Sequence, residues 1–228
     1  MGVSLFLLGA PRVENDGLIV AVSRRKALAL LALLAADPRP HSRESLAALL
    51  WPEWDTPSAR TALRRVLVTA NKAVGPGALL AEQERLSLAP QGGLRVDVNH
   101  FREALQRSRA HRHAHLHTCD ECLVWLMEAA ELYTGDFLAG FSLDDSPEFD
   151  DWVTFESESL RRDAAEALEK LAEIHAARQD FSTAIGYARR WLALDPLHEP
   201  AHRLLIRLYA WAGDTASAQR QYNECVDL

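Results

Sequence analysis

Residues 58–75 read SARTALRRVLVTANKAVG, and the reading of this stretch decides the rest of the chain. At 100° per residue, Ala59, Leu63, Val66, Leu67, Ala70 and Val74 fall on one side and form an apolar stripe. Arg60, Thr61, Arg64, Arg65, Val68 and Lys72 lie opposite. Within that outer set, Thr61, Arg64, Arg65 and Val68 keep i, i+3, i+4, i+7 spacing, so they project from one strip of surface. A guanidinium can fork onto a guanine edge, and a valine or threonine methyl can meet the thymine methyl. Val68 is the residue that a merely solvated face would not need. The pattern predicts a helix that starts at Thr56 or Ser58, runs to Gly75 and enters the major groove of double-stranded DNA.

Working outward, the flanks supply the rest of a DNA-binding domain. SLFLLGAPRV and GLIVAV are short β-rich runs separated by Glu14-Asn15-Asp16-Gly17, which predicts a hairpin. Ser23 is placed to cap a helix from Arg24 to Ala36, stopped by Asp37-Pro38-Arg39-Pro40. Ser42 caps a second, short helix with Leu46, Leu49 and Leu50 on its inner face, ended by Trp51-Pro52. After the third helix, ALLAEQERLSLAP reads as another hairpin, and LRVDV adds a strand or leads into the next domain. Strands, three helices and a closing hairpin are the order of a winged helix-turn-helix. That context favours DNA over a charged outer face with one stray valine.

The run RKALALLALLAADPRPHSRESLAALLWPEWDTPSARTALRRVLVTANKAVG also resembles the DNA-binding domain of Streptomyces antibiotic regulatory protein (SARP) type activators. The short helix ending in Leu50-Trp51-Pro52, and Ala59-Arg60 with Leu63-Arg64, carry the resemblance. It implies a response-regulator-like winged helix followed by a bacterial transcriptional activator domain of tetratricopeptide helices. It further implies binding to tandem direct repeats near a promoter and recruitment of RNA polymerase. The chain departs from the family in two places. Val68-Thr69-Ala70-Asn71 stand where members carry an arginine-rich Ser-Arg-Leu-Arg run, and Arg85-Leu86 stand near the family's Gly-Tyr of the wing. Phosphate contacts are then expected to be fewer, or to be carried by Arg24, Arg25, Lys26 and Arg85.

The second half repeats itself. His175 and Tyr209, Ala184 and Ala218, Ala188 and Tyr222, and Trp191 and Cys225 are each separated by the tetratricopeptide period of about 34 residues. Leu168, Leu171, Ala172 and Pro196 complete the key positions of the first repeat, and Leu205 joins Tyr209 in the next. Between 98 and 165 the helices are irregular, and Tyr133-Thr134-Gly135-Asp136-Phe137-Leu138 and Trp152 match what the resemblance implies for the activator domain. The expected fold is mainly α with a small α+β part: a winged helix over 1–97, then a tetratricopeptide-like domain over 98–228. Leu228 falls inside the last expected helix, so the chain reads as a piece cut from a longer regulator. The apolar strip around Ala218, Tyr222 and Cys225 is then expected to drive self-association, or else to leave the chain less stable than one extended by a further helix pair.

Three other clusters invite chemistry. HRHAHLHTCDEC places four histidines before a Cys-x-x-Cys, so His115, His117, Cys119 and Cys122 are zinc candidates; the alternative is a polar loop leading into a helix at Glu121. LDDSPEFDDW gathers five carboxylates, which a helix start explains better than a catalytic site: Ser146 as N-cap, Pro147 at N1 and acids in the first turn. His198 and His202 are spaced i, i+4 without a third ligand and are expected on the repeat surface. No phosphate-binding glycine loop and no nucleophile elbow appear, so no catalytic residues and no cofactor are expected.

Charge sharpens the division of labour. Residues 1–100 hold 12 of the 25 Lys and Arg but only 9 of the 32 Asp and Glu, a balance of +3; residues 101–228 carry 13 against 23, a balance of −10. A mildly basic front and a strongly acidic back imply different partners, DNA for one and protein for the other. Three cysteines fit a reducing cytoplasm rather than a disulfide scaffold. Neither MGVSLFLLGAP nor LALLALLAA is long enough for a signal peptide or a membrane span, so no membrane partner is expected. The sequence thus points to a DNA-binding transcriptional activator that contacts RNA polymerase. Its rivals are a repeat scaffold whose winged helix no longer binds DNA, and a metal sensor built on the His/Cys segment.

Overall fold

The computed structural model describes residues 2–89, 93–113 and 115–227; Pro90 of the second expected hairpin, Ala114 of the histidine-rich segment and Leu228 lie outside them. Three helices, α1 (Arg25–Ala36), α2 (Arg43–Leu50) and α3 (Thr56–Val74), pack their apolar sides together. In α3 the Asp55 carboxylate accepts from the Ser58 amide at 3.2 Å, Pro57 fits the first turn, and Gly75 ends the helix at φ 86°. Ala59, Leu63, Val66, Ala70 and Val74 of the expected stripe are buried, joined by Ala73, while Leu67 is only partly covered. Ser42 caps α2 as expected, accepting from the Glu44 and Ser45 amides. Ser23 does not cap α1. Arg24 occupies the N-cap position without a side-chain bond, and the helix begins one residue later. What fixes α1 is burial, with Leu30, Leu31 and Leu34 fully enclosed, each worth roughly 1.5–3 kcal/mol.

The N-terminal run is a three-stranded meander rather than a single hairpin. SLFLLGAPRV bends at Gly9 (φ 102°) into β1 (Val3–Phe6) and β2 (Arg12–Asn15), and β3 (Leu18–Val20) returns through a tight turn in which Asp16 and Gly17 both have positive φ. β4 (His41–Ser42) joins the wing strands β5 (Leu79–Glu82) and β6 (Arg85–Leu88) in the order β4-β6-β5. LRVDV supplies β7 (Arg95–Val96), which pairs parallel to β1 and closes the order β3-β2-β1-β7. At its end Asp97, the first residue of α4 (Asp97–Ala110), accepts the amides of Leu7, Leu8 and Val98 at 2.7–2.9 Å. Burial pushes the Asp97 carboxyl above its ordinary value, opposed by those amides and by the Arg12 guanidinium.

The compact units do not follow a single cut at residue 97. One comprises Met1–His100 with Thr134–Glu158, the other Phe101–Tyr133 with Ser159–Leu228. Hydrogen bonds of long sequence separation bring 134–158 to the first. Thr134 Oγ1 donates to the Leu8 carbonyl, the Leu138 amide to the Leu7 carbonyl, and the Ser146 hydroxyl to the Leu49 carbonyl at 2.6 Å. The helix α6 (Pro147–Ala177) starts where the sequence placed it, but the Ser146 hydroxyl donates to this tertiary contact. Asp150 accepts the Leu143 amide, and Phe137, Phe149 and Trp152 form an aromatic cluster with centroids 5.5–5.6 Å apart.

The second unit takes the later part of α4, α5 (Asp120–Leu132), the rest of α6, and α7 (Phe181–Leu194), α8 (Glu199–Trp211) and α9 (Thr215–Val226). The period of 34 is visible in its turns. Gln179 (φ 62°) and Gly213 (φ 78°) each adopt the left-handed conformation, and each is followed by an aspartate that caps the next helix. Asp180 and Asp214 donate their amides to the carbonyls of His175 and Tyr209, both at 2.9 Å, and accept from the Thr183 and Ser217 amides. The repeats differ in burial: Ala184 and Ala188 are enclosed, whereas Ala218 is half-buried and Tyr222 is 53% exposed. His202 is not on the surface. It is 4% exposed, 2.9 Å from the Pro196 carbonyl and 2.8 Å from Gln221, while its neighbour His198 rests on Trp191. Among the described residues no helix is long and apolar enough to cross a membrane.

Candidate nucleic-acid interface

The outer side of α3 stands as the period requires. Thr61, Arg64, Arg65, Val68 and Lys72 are exposed, and Val68 at 71% is among the most exposed large apolar side chains of its unit. Because Ala59, Leu63, Val66 and Ala70 anchor the opposite side, the strip cannot rotate without emptying the core. Thr61 donates its hydroxyl to the Pro57 carbonyl at 2.9 Å, and Thr69 does the same to Arg65 at 3.3 Å. The hydroxyl of Thr61 is therefore already paired along the helix.

Arg60 is clipped to the wing. Its guanidinium lies 2.5 Å from the Glu84 carboxylate, in the turn between β5 and β6, and the Glu84 carbonyl accepts the Arg43 amide at 2.8 Å. The turn is thereby tied to the start of α2 and to one edge of α3. Gln83, at φ 45°, makes the bend. Arg85 is exposed beside it, paired across the strands with Glu82 and Ser42. Sequence reasoning missed Glu84, because 24 residues separate it from Arg60 and only the fold of the wing brings them together.

The cluster Arg24-Arg25-Lys26 divides. Arg24 remains exposed. Arg25 donates to the Ser142 carbonyl at 2.6 Å and sits over the Phe141 ring, and Lys26 binds the Leu50 carbonyl and Asp145, both at 2.6 Å, against the Trp51 ring. Arg25 and Lys26, two of the cations expected at phosphate, are thus engaged with partners in their own unit, although Arg25 stays exposed. A groove of about 810 Å³ runs along this side, lined by Arg24, Trp54, Thr61 and Arg65 and also by Asp144 and Asp145. Arg39, another exposed cation, is paired with Asp37, whose carboxyl it holds down to about 2.

The zinc candidates regroup. Cys119 and Cys122 come together with His111 and His113, not with His115 and His117, whose rings face each other at 5.4 Å outside that group. The residue before α5 is not plain loop either: Cys119 Sγ accepts the Cys122 amide as the helix cap, and the helix begins at Asp120.

A winged helix with a basic outward strip, followed by helix pairs with tetratricopeptide turns, defines a two-part class of fold. Residues 96–228 match the family described as bacterial transcriptional activator domain, and the chain belongs to that family. The resemblance to SARP-type activators read from the sequence is borne out in this way. Among solved structures, Mycobacterium tuberculosis EmbR in complex with a low affinity phosphopeptide shares the fold, with a TM-score of 0.73 at 22% identity. The match covers 98% of this chain and 58% of that one, so the chain spans little more than half the length of EmbR. No curated protein matches the chain.

Proposed function

We propose that the chain is a sequence-specific DNA-binding transcriptional activator, with a winged helix over 1–97 and an activator domain over 98–228. The single observation that carries this reading is the exposed strip Thr61-Arg64-Arg65-Val68 on a helix whose opposite side is locked in the core. Arg64 and Arg65 reach base edges in the major groove, Val68 and the Thr61 methyl meet thymine, Lys72, Arg24 and Arg85 contact phosphate, and Arg60 stands at the same DNA-facing edge, held there by Glu84. The acidic second half recruits RNA polymerase by protein contacts in the bacterial cytoplasm. A chain with this division of charge acts by positioning a partner at a promoter, not by catalysis.

The test is binding of the wild type and Arg64→Ala to a duplex obtained by random-sequence selection and to a scrambled duplex, at two salt concentrations. The proposal expects a selected site, loss of roughly 1–3 kcal/mol on it with Arg64→Ala, and little change on the scrambled duplex. Absence of any selected sequence, with Arg64→Ala silent on all DNA, overturns it in favour of a repeat scaffold.

A further inference from the structure

The geometry points to a structural zinc site formed by His111, His113, Cys119 and Cys122. His111 Nδ1 lies 3.3 Å from Cys122 Sγ and 3.4 Å from Cys119 Sγ, and His113 Nδ1 lies 3.6 Å from Cys122 Sγ. All four donor atoms fall within 4.8 Å of one another. Tetrahedral zinc with its usual bond lengths to sulfur and imidazole nitrogen separates such donors by about 3.5 Å. The spacing at the side chains is thus already that of a coordination shell. Two nitrogens and two sulfurs are a closed ligand set for this ion, with no position left for water, which makes the role structural and not catalytic.

Two further observations fit a metal better than a chance cluster. The other ring nitrogen of His111, Nε2, lies 3.0 Å from the Glu121 carboxylate, the arrangement that orients a ligating histidine and fixes Nδ1 as the donor atom. Burial also contributes little there: among the described residues between the end of α4 and the start of α5, Arg112, His113, His115, His117 and Thr118 are exposed. A metal would join the end of α4, through His111, to the first turn of α5, through Cys119 and Cys122. Its effect would reach the repeats, because Arg178 donates to the His117 carbonyl and to Asp120, both at 2.8 Å.

The experiment uses the full chain without a histidine tag, reduced, stripped with a chelator and dialysed against Zn²⁺ or Co²⁺. The expected result is about one Zn²⁺ per chain, and with Co²⁺ the visible bands of a tetrahedral thiolate site. Cys119→Ser, which keeps a side chain able to cap α5, and the exposed His113→Ala are expected to lose the ion. The double variant His115→Ala/His117→Ala keeps it, and Glu121→Gln keeps the stoichiometry with about 10-fold weaker binding. Failure of the folded wild type to retain zinc or to develop cobalt bands overturns the assignment, whatever the variants do. So does loss of the ion in His115→Ala/His117→Ala to the same extent as in Cys119→Ser.

Discussion

Glu84→Gln offers the sharpest test of how the α3 strip meets DNA. The Glu84 carboxylate lies 2.5 Å from the Arg60 guanidinium, and both side chains are exposed, so the pair itself contributes only about 0–1 kcal/mol to folding. The backbone bond from the Arg43 amide to the Glu84 carbonyl survives the change, so the wing stays in place. What changes is the charge that faces the nucleic acid. With its carboxylate partner gone, Arg60 becomes free to contact a phosphate. One added phosphate contact steepens the slope of log K against log salt by about 0.9, which is about 8-fold tighter binding at 0.1 M salt referred to 1 M. The loss of affinity between 50 and 200 mM salt grows by about 3.5-fold for the same reason. Fluorescence anisotropy with a selected and a scrambled duplex reads both quantities, and both duplexes should gain equally, because phosphate carries no sequence information. Arg60→Ala/Glu84→Gln should return to the slope of Arg60→Ala alone. A slope that stays unchanged in Glu84→Gln, or binding that weakens, refutes the placement of this edge of α3 and the wing against the DNA backbone.

Val68→Ala should leave the melting temperature nearly unchanged, within about 0.5 kcal/mol, because the side chain faces away from the core; competition between selected and substituted duplexes should nonetheless show weaker discrimination. Asp97→Ala removes the acceptor of three buried amides, those of Leu7, Leu8 and Val98, at about 1–3 kcal/mol each, and should cost roughly 3–9 kcal/mol in urea unfolding of the full chain. A loss below about 1 kcal/mol would mean that water satisfies those amides equally well. Thr183 holds the Asp180 carboxyl below its ordinary value of 3.8, so its capping contribution is present above that pH and lost as the pH falls through the lowered value. Asp180→Asn, an equally good cap without the charge, should melt like the wild type at neutral pH but show a shallower loss of stability on acidification. Equal acid limbs in thermal melts would count against this cap.

The sequence by itself determined the elements and their faces. The apolar stripe of α3, its basic reverse and the anomalous Val68 are consequences of a period of about 3.6 residues, which depends only on neighbours along one helix. The period of 34 likewise held, down to the paired left-handed turns at Gln179 and Gly213 and the caps at Asp180 and Asp214, because each repeat solves the same local problem. Tertiary structure alone decided the contacts that no local pattern encodes. Asp97 finds the amides of Leu7 and Leu8 some 90 positions away, Ser146 finds Leu49, and His202 leaves the surface for Gln221. Arg25 and Lys26 gain partners in Ser142 and Asp145, more than a hundred positions away, which no local pattern predicts. In the histidine-rich segment the four imidazoles are chemically equivalent in one dimension. The turn at Leu116–Thr118 and the capping of α5 by Cys119 turn His111 and His113 towards the thiols and leave His115 and His117 against each other. Periodicity fixes which side of an element is apolar; which polar groups meet across the chain depends on how that chain closes in space.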